Sequence, residues 1–247
     1  MNNLELEKIL NGLLKIHEFQ DYTPNGLQVE GCFNISKIVT GVTACQVLLE
    51  IAVEKKADTI IVHHGYFWKN ESSIINGIKK IRLRTLLINN INLYSYHLPL
   101  DVHYELGNNN QLSYIIGVKV YGQINQFISY GFFKEAITAD MLNTRLETRL
   151  HRKILYCTGN NERKIQKVAW CTGNGQDFIY EAARFGVDAF ITGGISEQSV
   201  HIAREMKIHF YSAGHHATER YGIKKLSEWL IDKYDLDVEF VDIDNIA

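Results

Sequence analysis

The chain carries ten histidines, and several fall in patterns that could bind metal. Two adjacent pairs occur, His63-His64 and His215-His216, and His97 is followed four residues later by Asp101. In the stretch His-His-Ala-Thr-Glu, Glu219 stands four residues after His215. Imidazole nitrogens combined with carboxylate oxygens suit zinc, iron, manganese or nickel. If the HHATE stretch is helical, His215 and Glu219 share one face, and such a pair can grip one ion. Adjacent His63 and His64 are expected to point in different directions and so to face different ions, which favours two metals over one. A carboxylate such as Glu219 offers two oxygens and could bridge them. Against this, one His-His pair is weak evidence, because hydrogen-bonded core histidines are common. The weight comes from finding two pairs and an HxxxD, each after a predicted strand. His17, His103, His151, His201 and His209 lack that context and read as surface or core residues.

The elements that must position these residues follow from periodicity. Residues 37–42 and 91–96 are strand-like, and 58–62 is a short apolar run of the kind buried on both faces of a parallel sheet. The last run leads directly into His63-His64-Gly65. Helical spacing covers 45–55, 79–89 and 108–116, and the first sixteen residues form an amphipathic helix with Leu4, Ile9, Leu13 and Ile16 on its apolar face. A strand is expected over 127–133 and a helix over 139–150, N-capped by Thr138.

The later part of the chain echoes the earlier. Residues 167–171 resemble 37–41, 178–188 resemble 48–58, 189–192 resemble 59–62, and 208–212 resemble 91–95. Each half reads as strand, helix, strand, helix, strand. Repeated βαβ units imply parallel strands, so the expected fold is α/β, with two similar lobes of mainly parallel sheet produced by an internal duplication. The lobes are expected at 1–124, with His63, His64 and Asp101, and at 125–247, with His215 and Glu219. In such sheets ligands bind at the carboxyl ends of the strands, and the division of these five residues between the lobes leads to an expected metal site in the cleft between them. The echo fails at an informative place, since His63-His64 corresponds to Gly193-Gly194.

Other features narrow the chemistry. Thr172-Gly-Asn-Gly-Gln176 joins a strand to a helix and could cradle a phosphate, or it could be only a tight turn, as it lacks the lysine of a P-loop. Tyr66, Phe67 and Trp68 could wall a pocket or fill the core. There is no GxSxG elbow, and Cys32, Cys45, Cys157 and Cys171 form no CxxC pair, so covalent serine or cysteine catalysis and a zinc knuckle are disfavoured. The formal net charge of -2 offers no field to attract nucleic acid or anionic membrane. No apolar run reaches membrane-span length, and the N-terminal residues lack the order of a signal peptide. A cytoplasmic location is expected.

Five motifs carry a resemblance: TPNGLQVEG (23–31), IVHHGYFW (61–68), YHLPLDVHYELGNN (96–109), ARFGVDAFITGGISEQ (183–198) and SAGHHATERYGI (212–223). Together they resemble the Nif-three-like family, the GTP cyclohydrolase 1 type 2 homologues, in its short bacterial form. The resemblance implies a dinuclear site with ligands His63, His64, Asp101, His215 and Glu219. It places His97 and His216 beside the metals, as catalytic groups that orient ligands or move protons. It implies a ring-shaped homohexamer and a hydrolase acting on a nucleotide or related heterocycle through metal-activated water. The competing readings are a non-catalytic protein of metal storage or delivery, and a toroidal scaffold for DNA or protein partners.

Overall fold

The computed structural model of the chain describes residues 1–159 and 163–247. In chain order the elements are α1 (Asn3–Leu14), β1 (Gly26–Val29), β2 (Lys37–Thr43), α2 (Gln46–Glu54), β3 (Thr59–His64), α3 (Gly77–Ile88), β4 (Asn92–Ser95), α4 (Leu98–Val102) and α5 (Asn108–Ile116). They continue as β5 (Gly122–Gln123), β6 (Ser129–Ile137), α6 (Ala139–Leu150), β7 (Leu155–Cys157), β8 (Ile165–Cys171), α7 (Ile179–Arg184), β9 (Ala189–Thr192), α8 (Glu197–Glu205), β10 (His209–Ser212), α9 (His215–Tyr234) and β11 (Asp237–Phe240). The described residues form two compact units, Met1–Leu106 with Gly222–Asp244, and Gly107–Tyr221 with Asn245–Ala247. A single division near residue 125 does not describe this arrangement. The chain returns to the first unit within α9, a long-range event that local periodicity does not register.

The first unit is built on a sheet of order β1-β4-β3-β2-β11. Its β4, β3, β2 and β11 are mutually parallel, and β1 joins β4 antiparallel. Alternate residues divide between two cores. Ile38, Val42, Ile61 and Tyr94 pack with Leu6, Leu10 and Leu14 of α1 and with Ile223, Leu226 and Leu230 of α9. Val39, Ile60, Val62 and Leu93 pack with Leu48 and Leu49 of α2 and with Leu83 and Leu86 of α3. Period-two alternation in the strands thus serves both faces. The first helix forms as expected and is closed by a capping box between Asn2 and Glu5. Its buried face, however, is Leu6, Leu10 and Leu14, while Leu4 stands 56% exposed. Of the expected apolar face, Leu13 and Ile16 pack partly buried against the same core, and Leu4 is the residue turned to solvent.

The second unit has a sheet of order β5-β6-β8-β9-β10-β7. Its centre, β8-β9-β10, is parallel, as the helical crossovers require, whereas β6 and β7 flank it antiparallel. The sheets are therefore mixed, with the repeated strands pairing in parallel and β11 extending the parallel part of the first unit. Val168, Trp170 and Ile191 pack against α5 and α6, and Ala169, Phe190 and Phe210 against Ile179 and Ala182 of α7 and Ala203 of α8. Helix α6 has the expected bounds, and the Thr138 hydroxyl caps it by accepting from Met141 N–H at 3.2 Å.

One device is repeated in both units. Asp58, just before β3, accepts the N–H groups of Ser36 and Lys37 at the start of β2, at 2.7 and 3.0 Å. Asp188, just before β9, accepts those of Gln166 and Lys167 at the start of β8, at 3.0 and 2.8 Å. These two aspartates occupy matching places in the sequence echo. The four cysteines are free, with Cys171 buried and the others half-buried. Among the described residues no helix is long and apolar enough to cross a membrane.

Candidate metal centre

In the first unit, β3 ends in His63 and His64 and β4 leads through Tyr96 to His97 at the start of α4. Pro99 sits in the first turn of α4, and the turn's own geometry carries Asp101 back toward β3, so that His63 Nε2 lies 3.5 Å from Asp101 Oδ1. The His63 side chain is wholly buried, and its Nδ1 bonds to the Tyr96 carbonyl at 2.9 Å. His64 Nδ1 bonds to the Thr43 hydroxyl at 3.2 Å. His97 Nδ1 bonds to Asp21 Oδ1 at 2.7 Å. One ligand atom from each of His63, His64 and His97 lies within 4.8 Å of the others.

The His63 and His64 ring centroids lie 4.5 Å from each other, with the ring planes tilted by 46°. Strand alternation separates the Cβ atoms, but rotation about the side-chain bonds at the strand end brings the rings together.

Asp21 escaped the sequence reading. It stands two residues ahead of a Thr-Pro-Asn-Gly turn, where Asp and Asn ordinarily read as turn formers. Its carboxylate also accepts from Asn25 Nδ2 at 2.9 Å, from Tyr22 N–H at 2.6 Å and from Leu98 N–H at 3.0 Å. Burial works to raise its pKa. The hydrogen bond and attraction from His97, with the Asn25 and Tyr22 bonds, outweigh burial and hold the carboxyl below its ordinary range.

The aromatic trio divides in its roles. Tyr66 is buried, its hydroxyl donating to the Ala44 carbonyl at 2.8 Å. Trp68 meets the His97 ring edge-on at 5.0 Å and lies 6.0 Å from His64, so it walls the histidine cluster. Phe67 is partly exposed, with Lys79 over its ring.

In the second unit, α9 begins at His215, and the HHATE stretch is helical as expected. His215 Nε2 lies 3.0 Å from Glu219 Oε2, and Glu219 is buried. Glycines follow each of the three parallel strands. Gly214 N–H donates to the Gly193 carbonyl and Gly193 N–H to the Gly173 carbonyl, at 3.1 and 2.9 Å. A Cβ on Gly193 would stand 2.7 Å from His215 Cα, and one on Gly173 would overlap the Glu219 carboxylate. Strand ends that bear histidine in one half thus bear glycine in the other, because a side chain there would fill the space of His215 and Glu219.

This also bears on the Thr172–Gln176 turn. Gly173 N–H donates to the Thr218 hydroxyl and Gly175 N–H to the Thr192 hydroxyl, both at 3.0 Å. Those two amides serve the turn itself, which favours the tight-turn reading over a phosphate cradle. His216 follows His215 in the first turn of α9, mostly buried, with its main-chain N–H donating to the Ala247 carbonyl at 3.2 Å. Of the histidines given no role, His17, His151 and His201 are exposed. His103 accepts from the Leu106 N–H at 3.1 Å, and His209 is buried, bonded to the Arg163 carbonyl at 2.9 Å.

The residues fit a divalent transition metal in each unit's own terms. The first presents three imidazoles and a carboxylate, the second an imidazole and a carboxylate one helical turn apart.

The sequence pattern of the Duf34/NIF3 (NGG1p interacting factor 3) family matches residues 1–246. A Yersinia pestis protein named GTP cyclohydrolase 1 type 2 homolog is 58% identical over 247 residues, covering 100% of both chains. A protein of the same name from Escherichia coli K12 is 56% identical with the same coverage. The solved structure of protein ybgI, titled as of unknown function, superposes with a TM-score of 0.97 at 57% identity and covers 100% of both chains.

Proposed function

The chain belongs to the Duf34/NIF3 family, and on that footing we propose that it is a metal-dependent hydrolase of a nucleotide or related heterocycle. It holds two divalent metal ions through His63, His64, Asp101, His215 and Glu219. Three of these ligands come from the first unit and two from the second. GTP is the first substrate to try, because relatives at 56–58% identity carry the name GTP cyclohydrolase 1 type 2 homolog. The observation that carries the reading is the gathering of buried His63 and Asp101 with half-buried His64 at the carboxyl end of a parallel strand.

Bound metal supplies a water of lowered pKa and polarises the bond to be cleaved. The chain's own residues do the rest. His63 and His64 are oriented through Nδ1 by the Tyr96 carbonyl and the Thr43 hydroxyl. Trp68 presents an aromatic wall beside the cluster on which a heterocycle can stack. The resemblance leaves His97 and His216 as neighbours outside the five ligands, able to hold or move a proton. A homohexamer is part of the same proposal.

The test is anaerobic purification with metal analysis, followed by turnover of GTP and a wide nucleotide panel. About two ions per chain and loss of hydrolysis in a folded Asp101→Ala variant are expected. A fully metallated protein that turns over nothing in the panel would leave the metal reading standing as one of storage or delivery and would end the hydrolase reading.

A further inference from the structure

We infer that Asp21 is a positioning residue that holds His97 as a third imidazole ligand, beside His63 and His64, in a carboxylate–histidine–metal arrangement. The inference rests on the metal reading above and adds two residues that the five-ligand set does not contain.

The three imidazoles of the cluster are oriented in the same way. His63 Nδ1 is bonded to the Tyr96 carbonyl at 2.9 Å, His64 Nδ1 to the Thr43 hydroxyl at 3.2 Å, and His97 Nδ1 to Asp21 Oδ1 at 2.7 Å. Histidines that bind metal through one nitrogen characteristically use the other to meet a carboxylate, a carbonyl or a similar group. In each ring that assigns Nε2 to the metal. For His63 the assignment is supported by Asp101 Oδ1, which lies 3.5 Å from Nε2.

The tautomer of His97 follows from its partner. The Asp21 carboxylate accepts from the Tyr22 and Leu98 N–H groups and from Asn25 Nδ2, and it is the acceptor toward His97 Nδ1 at 2.7 Å as well. Nδ1 must therefore carry the proton, and a neutral ring then has its lone pair on Nε2. The backbone is fixed by the same loop: His97 N–H donates to Asn25 Oδ1 at 2.8 Å and Leu98 N–H to Asp21 Oδ2 at 3.0 Å. Two side chains of the segment before β1 thus clamp both the ring and the main chain of His97. Trp68 packs edge-on against the ring from another direction. Ring centroids of 5.2 Å to His63 and 5.7 Å to His64 bring the third donor within range of the same cluster.

The test uses the full chain, stripped of metal by chelation and titrated with Zn2+, then loaded with Co2+ for its visible ligand-field bands. The variants are Asp21→Asn, His97→Ala and His97→Gln, with His63→Ala as reference and circular dichroism to check folding. Asp21→Asn and both His97 variants are expected to weaken Zn2+ binding about 10- to 100-fold and to shift the Co2+ spectrum. If Asp21→Asn fails to fold because its buried network is broken, the two His97 variants decide the matter. The inference is overturned if folded His97→Ala and His97→Gln keep the wild-type affinity and spectrum while His63→Ala loses metal. Failure of the underlying reading looks different: the wild-type chain then binds Zn2+ no better than His63→Ala.

Discussion

His215 Nε2 lies 3.0 Å from Glu219 Oε2, one helical turn along α9, over a glycine whose missing side chain makes the approach possible. That glycine is Gly173, held at φ +63, a conformation that already disfavours an L side chain. A methyl group there would also strike the Glu219 carboxylate and stand 3.3 Å from His215 Nε2. Gly173→Ala is therefore expected to cost about 1–3 kcal/mol of stability and to lower metal retention. Gly186→Ala is the control, because Gly186 has φ +78 but open space around its Cβ position. It is expected to cost about 1 kcal/mol through the backbone alone and to leave metal content unchanged. Denaturation midpoints and metal analysis of the two variants check both statements. Equal metal content in the two would show that Gly173 serves only the turn.

Much of the site was legible because its residues sit beside strong local signals. The apolar run before His63 and the i, i+4 spacing of His215 and Glu219 each read correctly from a handful of residues. What failed to show depends on distant parts of the chain. Asp21 reaches His97 across 76 positions, and nothing in its own neighbourhood distinguishes it from an ordinary turn former. Strand β11 pairs with β2 from the far end of the sequence, and its DVEF segment is too short and too charged to announce a strand. The closeness of the His63 and His64 rings was hidden for another reason. Strand periodicity fixes where a Cβ points, while the ring position is set by rotamers that only the packed site decides.

Asp188 gives a pH-dependent prediction. Burial raises its pKa, but the N–H groups of Lys167 and Gln166 and the Arg163 guanidinium outweigh that effect and hold the carboxyl below its ordinary range. A carboxyl whose native pKa is depressed contributes stability that is present above its unfolded pKa and is lost as pH falls through its native one. Asp188→Asn keeps the shape and removes the charge. It is expected to destabilise by about 1–2 kcal/mol near neutral pH, allowing for solvent screening of a half-buried group. The gap to wild type should close as the pH is lowered past the ordinary carboxylate range. Urea unfolding at several pH values measures it, and a gap that stays constant or widens toward acid would contradict the assignment.

The face of α1 can be tested by two leucines six residues apart. Leu10 is fully buried against the first unit's sheet, whereas Leu4 is mostly in solvent although both lie in one amphipathic helix. Truncating a buried leucine removes its transfer free energy and leaves a cavity, so Leu10→Ala is expected to cost about 2–5 kcal/mol. Leu4→Ala removes little buried surface and replaces leucine with a better helix former, so it should change stability by no more than about 0.5 kcal/mol. The same core receives Ile223, Leu226 and Leu230 of α9, the helix whose first turns carry His215 and Glu219. A cavity at Leu10 should therefore loosen the later turns of α9 as well, which hydrogen exchange at the amides of residues 223–230 would detect. Protection there that matches wild type in a Leu10→Ala chain would show that α9 is held independently of α1.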